Sequence, residues 1–200
     1  MNERLKQAID KAERIVFLTG AGISVPSGLP QYQGNTDAKE AYDAIREELE
    51  EKIRSAEPSL GHLFIARLHE AGKDVHVITQ NVDSLHQKAG LPLERVHELH
   101  GNRERGDVVE FGMDLPDDVW QKSLEVAYAA DVFIVIGTSL QVYPVALIPE
   151  FVLQRKEYGA QNVSVWVINK TETSIDWQIG PNAIHDDLVN VLGREDALSE

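Results

Sequence analysis

No cysteine occurs anywhere in the 200 residues. That excludes disulfide cross-links, thiol catalysis and cysteine-ligated zinc. Histidine does not fill the gap. The seven histidines form no HExxH arrangement. His97 and His100 are three apart at what reads as a strand end, so they need not share a face. No metal is expected. Positive charge is scarce as well: 19 Lys and Arg stand against 33 Asp and Glu, a formal net charge of −14. Nucleic acid is repelled by such a surface unless basic residues cluster, and RERG at 103–106 is too short to count. A basic partner, such as a lysine-rich protein tail, is electrostatically easier to accept, although solubility is the plainer meaning of the same charge. No apolar run reaches the roughly 18 residues of a membrane span. The opening MNERLKQAIDKAERIVFLTG starts with a charged amphipathic segment, not a signal-peptide apolar region. A cytoplasmic protein with no membrane partner is expected.

What is present reads as a globular chain, with 42% hydrophobic and 26% charged residues. Its length suits one domain over 1–200, or one with a small appendage. Residues 2–13 read as a helix. RIVFLT (14–19) is a continuous apolar run ending in glycine, as expected of a buried parallel strand. A Pro/Gly-punctuated loop follows, then a helix over 37–56 and an amphipathic helix over 59–72 that stops at Gly72. DVHVIT (74–79) is the next strand, followed by a polar turn and a short helix to Gly90. A short strand covers 95–100, and 107–112 is extended. A helix opens at Pro116 and runs to Ala130, with Asp117 and Asp118 in its first turn. DVFIVIG (131–137) and NVSVWVIN (162–169) are further strands, with a helix over 144–158 between them. A last helix spans about 185–193. Strands alternating with helices, several apolar throughout, predict an α/β fold: a Rossmann-like doubly wound parallel sheet.

In such a sheet the ligand sits beyond the carboxyl ends of the strands. The polar motifs lie at those ends: GAGIS, TQNVDS, HG, GTS and NK. Each has a plain alternative. GAGIS (20–24) suits a phosphate, because glycine admits close approach and exposed N–H groups bind oxygen; it also suits a tight turn. It departs from the dinucleotide fingerprint, since Val25 stands where a third glycine is usual. TQNVDS (79–84) offers two amides and a carboxylate for ribose hydroxyls and a carboxamide, or a helix cap at Asp83 or Ser84. His100 is a candidate general base, because imidazole titrates near neutrality; a lone histidine is more often a packing residue. GTS (137–139) is a cofactor contact or a turn. The shared position of five such ends favours one crevice.

GAGISVPSGLP, EPSLGH, VITQNVDSLHQKAG, ELHG, VVEFGMDLP, DVFIVIGTSLQVYPVA and VIN, in that order from about residue 14 to 190, resemble the sirtuins, NAD-dependent protein deacylases. The resemblance implies NAD as cofactor and an acyl-lysine protein or peptide as substrate. It implies phosphate contacts at Gly20, Ala21, Gly22 and Ser24. Gln80, Asn81 and Asp83 would place the nicotinamide ribose and carboxamide, with Asn81 also catalytic. His100 would be the catalytic base. Gly137, Thr138, Ser139, Asn169 and Lys170 would complete the cofactor site, with Ala183 near the adenine. Pro30, Tyr32 and Gln33 fall in the cofactor loop. Val109, Phe111, Gly112 and Val142 would sandwich the peptide as an added strand. The implied reaction breaks the nicotinamide–ribose bond through an oxocarbenium-like state and moves the acyl group to ADP-ribose.

Three departures from the family pattern stand out. A four-cysteine zinc ribbon usually separates ELHG from VVxFG; here the gap is NRERGD. The cofactor loop usually reads GIPDFRG; here it reads GLPQYQG, and Gln33 cannot supply an arginine's charge. The insert between Gly34 and Glu57 is short, and Tyr42 with Arg46 only loosely resembles the Tyr–Arg pair of desuccinylating members. The small zinc-binding and helical domain is therefore expected to be largely absent, leaving an open cleft. Two competing readings remain. An NAD glycohydrolase or ADP-ribosyltransferase would release nicotinamide without acyl-peptide. A non-catalytic or minimised NAD-binding module would bind NAD without turnover.

Overall fold

The computed structural model describes residues 1–30, 48–110, 112–155 and 163–193. Six strands form one sheet: β1 (Arg14–Thr19), β2 (Asp74–Thr79), β3 (Val96–Glu98), β4 (Val132–Ile136), β5 (Ser164–Ile168) and β6 (Ala183–Ile184). Their order is β3-β2-β1-β4-β5-β6 and every pairing is parallel. The order reverses between β1 and β4, where a doubly wound sheet opens its ligand crevice.

The apolar strand runs are explained by burial on both faces. Ile15 and Phe17 of β1 point to one side with Val75, Val77, Ile134 and Trp166. Val16 and Leu18 point to the other with Ile78, Phe133, Val135 and Val167. Helices Glu3–Lys11, Leu60–Glu70 and Leu188–Leu192 cover the first face through Leu5, Ile9, Phe64, Ile65 and Leu192. Helices Asp117–Tyr128 and Ile148–Gln154 cover the second through Val126, Ala127, Ile148 and Val152. Phe17 and Phe133 are fully buried, and truncating either to alanine costs about 3–5 kcal/mol. The helix starts are built locally. Asn2 accepts from the amides of Arg4 and Leu5, and Ser59 and His62 form a capping box.

Several boundaries differ from the sequence reading. The strand expected over 95–100 is three residues long, because Leu93–Arg95 form a 3-10 turn after Pro92. The helix expected over 144–158 begins as a 3-10 turn, Val145–Leu147, and continues as the α-helix Ile148–Gln154, while 156–158 lie outside the described residues. The last helix starts at Leu188, not 185, because Ala183–Ile184 pair with β5. A one-turn helix, Asp176–Ile179, had no sequence signal. Of the expected helix over 37–56, residues 48–55 are helical, and 37–47 lie outside the described residues. Among the described residues no helix is long and apolar enough to cross a membrane.

Candidate active site

The sheet carries its hydrogen-bond ladder one residue past each strand. Leu99 N–H donates to Thr79, Gln80 to Thr19, Gly20 to Ile136, Gly137 to Ile168 and Asn169 to Ile184, all at 3.0–3.2 Å. These five amides hold the first residue after β3, β2, β1, β4 and β5 in a single row. The expected convergence of polar strand ends is thus a consequence of parallel register.

At the centre of the row two glycine turns cross. Gly22 N–H donates to Gly137 O at 2.8 Å. A Cβ on Gly22 would lie 2.6 Å from Gly137 Cα, and one on Gly20 would lie 2.7 Å from Thr138 Cβ. Gly137 itself has φ +63 and sits against the Gly22–Ile23 peptide. Glycine at these three positions is what lets the two turns pack backbone against backbone. The amides are less available than GAGIS suggests. Gly20, Gly22, Ile23 and Ser24 all donate internally. Ala21 opens the 3-10 turn Ala21–Ile23, and the leading amides of such a turn have no acceptor within it.

Beside the crossing lies a buried polar web. Ser24 Oγ donates to Asp83 Oδ2 at 2.7 Å. Asn81 Nδ2 donates to Ser24 Oγ at 3.1 Å and to Gly20 O at 3.2 Å. Asp83 Oδ1 accepts from Leu85 N–H at 3.0 Å. Asp83 therefore both caps the helix Leu85–Lys88 and ties the TQNVDS turn to GAGIS. Burial pushes its carboxyl up, against the lowering by Ser24 and the Leu85 amide. Gln80 Nε2 reaches over the end of β1 to Thr138 Oγ1 at 3.0 Å. Beneath, Asn81 N–H donates to Thr79 Oγ1, which bonds Thr19 Oγ1. Thr19 and His86 were missed in the sequence; Thr19 Oγ1 lies 2.9 Å from His86 Nε2. The signal for Thr19 was weak: it and Thr79 end neighbouring strands in the same register.

His100 is the second residue past β3 and is partly buried. Its Nδ1 lies 2.9 Å from the carbonyl of Gln80. A carbonyl only accepts, so Nδ1 carries the proton and Nε2 keeps its lone pair. Burial lowers the pKa of His100, partly offset by that carbonyl. The imidazole is thus neutral, in a defined tautomer, at neutral pH.

The row also takes in Asn169, whose side chain turns onto Thr171. Lys170 is exposed and pairs with Asp187 at 2.6 Å. Ala183 pairs with Val167, two residues before Asn169. Ser139 is exposed and Thr138 buried. Of the peptide-binding candidates, Val109 donates to His100 O at 2.9 Å, Val142 is half-buried and Gly112 is exposed with φ +83. Pro30 is exposed. Tyr32, Gln33, Tyr42, Arg46 and Phe111 lie outside the described residues.

Strand order and the glycine crossing define a doubly wound α/β protein of the nucleotide-binding kind, with the His100 imidazole at the end of its strand row. Residues 35–105 and 104–144 match the model of the Sir2 family. An NAD-dependent protein deacetylase of Bradyrhizobium diazoefficiens is 32% identical over 244 residues, covering 96% of this chain and 93% of that protein. An NAD-dependent protein deacylase of Caldanaerobacter subterraneus is 36% identical over 203 residues, covering 76% and 82%. Among solved structures, a mutant Sir2 homologue with 2'-O-acetyl ADP ribose superposes with a TM-score of 0.81 at 28% identity, over 100% of this chain and 99% of that one. Sir2 bound to acetylated peptide superposes at 0.77 and 26% identity, over 96% and 95%. The chain belongs to the Sir2 family of sirtuins.

Proposed function

We propose that the chain is an NAD-dependent protein-lysine deacylase of 1–200 as one domain, acting in the cytoplasm and without zinc. The observation that carries this reading is the His100–Gln80 bond, which leaves Nε2 as a proton acceptor at the carboxyl end of the sheet. When bound, NAD supplies a cleavable nicotinamide–ribose bond and the ADP-ribose that accepts the acyl group. Gly20, Ala21, Gly22 and Ser24 hold phosphate, and Gln80, Asn81 and Asp83 form the wall facing the nicotinamide ribose. Gly137, Thr138, Ser139, Asn169 and Lys170 contact the cofactor, Ala183 does so at the adenine, and Pro30, Tyr32 and Gln33 are further cofactor contacts. Val109, Phe111, Gly112 and Val142 grip the acyl-lysine peptide.

His100 takes a proton from a ribose hydroxyl at Nε2. The hydrogen bond from Nδ1–H to Gln80 O strengthens as the ring becomes cationic, so the same carbonyl that orients the base stabilises its charged form. The base is competent above its lowered pKa, so activity extends to the acid side of ordinary histidine titration.

The test is nicotinamide release and peptide mass with an acetyl-lysine peptide and NAD, for wild type and His100→Ala. Loss of a general base lowers turnover about 10²–10⁴-fold, while NAD binding by calorimetry is retained. Peptide-independent nicotinamide release would instead mark a glycohydrolase. NAD binding with no turnover would mark a binding module.

A further inference from the structure

The six-residue connection NRERGD is not a slack closure of the gap between ELHG and VVEFG. Glu98, the last residue of β3, is a carboxylate with only 6% of its surface exposed. It accepts from Gln87 Nε2 at 2.8 Å, from Asn102 Nδ2 at 2.5 Å and from Arg105 Nη1. Arg105 Nε then donates to Asp107 Oδ2 at 2.9 Å. Asp107 Oδ1 in turn accepts from Asn102 N–H at 2.6 Å. Arg105 therefore joins the outgoing limb of the loop, at Glu98, to the returning limb, at Asp107. Between them Gly101 has φ +71, and a Cβ there would lie 2.0 Å from Asp107 O. The two limbs are in backbone contact at the residue after His100. The next link is Val109 N–H to His100 O at 2.9 Å.

We propose that Arg105 is a positioning residue for the reaction: through its fork between Glu98 and Asp107 it sets the spacing between His100 and the Val109 segment. A planar guanidinium suits this because two of its N–H directions meet two separate carboxylates, which a lysine ammonium does not reproduce. A short loop at this point must hold the base and the peptide lip together from its own side chains. Burial of Glu98 keeps the pair less screened than a surface ion pair, although Arg105 is partly exposed. The ring of His100 is already oriented by Gln80 O; Arg105 fixes where its backbone stands relative to the lip. The proposal rests on the deacylase reading for its kinetic consequence and on geometry alone for its structural one.

The experiment compares wild type, Arg105→Ala, Arg105→Lys and Asp107→Asn. With Arg105→Ala, kcat/KM for acetyl-lysine peptide is expected to fall about 10- to 100-fold, the cost of small misplacement at a reacting centre. KM for NAD stays within about twofold, since the glycine crossing is untouched. The acid limb of the kcat/KM profile moves up, because water admitted around His100 relieves the burial that lowers its pKa. Arg105→Lys recovers only part of the loss. Hydrogen exchange at the Val109 amide speeds up in Arg105→Ala and in Asp107→Asn. Unchanged Val109 exchange together with wild-type peptide kinetics would overturn the proposal. A drop in thermal stability with equal loss towards NAD and peptide would overturn it too, as a general folding effect. If wild type shows no turnover, the deacylase reading fails by itself, and the Val109 exchange still decides the clasp.

Discussion

Acidification to about pH 5 is expected to remove several kcal/mol of stability, through histidines that the fold keeps neutral. His62 has no exposed surface, and burial lowers its pKa from 6.5 to about 3. Ser59 N–H donates to its Nδ1, and its ring stands edge-on to that of His86 at 4.7 Å. His86 is lowered well below 6.5 by burial and by His62. His97, stacked on His76, is lowered to about 4. The unfolded chain protonates these rings near 6.5 and the folded chain resists, so stability is full above 6.5 and falls as pH drops below it. Each pH unit in that window costs about 1.4 kcal/mol per histidine. At about pH 5, His62 and His97 together lose about 4 kcal/mol, against a total of about 5–15 kcal/mol for a typical domain. Asp83, raised by burial, works in the opposite direction nearer the carboxylate range. Urea unfolding at several pH values from about 8 to about 5 measures the slope, with His62→Gln as control. A flat midpoint in wild type over that range refutes the reasoning. So does an unchanged slope in His62→Gln.

Two further outcomes follow from the crevice. Gly22→Ala places a methyl 2.6 Å from Gly137 Cα, with backbone on both sides, and is expected to cost about 2–4 kcal/mol in thermal unfolding and to weaken NAD binding. Asp83→Ala leaves Ser24 Oγ and the Leu85 amide without their acceptor. It should destabilise by about 2–3 kcal/mol in denaturant unfolding and lower NAD affinity through movement of GAGIS, with no change in the pH dependence set by His100.

RIVFLT and DVFIVI were legible as buried strands because parallel strands covered on both faces need no alternation. The polar residues after them were legible as one crevice because strand ends align in such a sheet. Ala183–Ile184 were not, since a two-residue strand exists only through its pairing with β5. Asp83 was read as a ligand contact or a cap. Its tie to Ser24 depends on how two loops 59 residues apart meet, which no local pattern carries. The role of Arg105 was hidden for the same reason: RERG reads as surface charge until Glu98 is found buried beneath it. The open cleft was expected from the short insert between Gly34 and Glu57 and from the missing ribbon, and residues 31–47 lie outside the described ones.

The sheet ends on its two shortest strands, three residues in β3 and two in β6. An exposed strand edge is a template for a second molecule, and a long flat one invites aggregation. Parallel sheets also assemble slowly, because distant segments must meet before any pairing is rewarded. By tapering at both sides, this sheet offers little ladder for another chain to extend while its long central strands find one another.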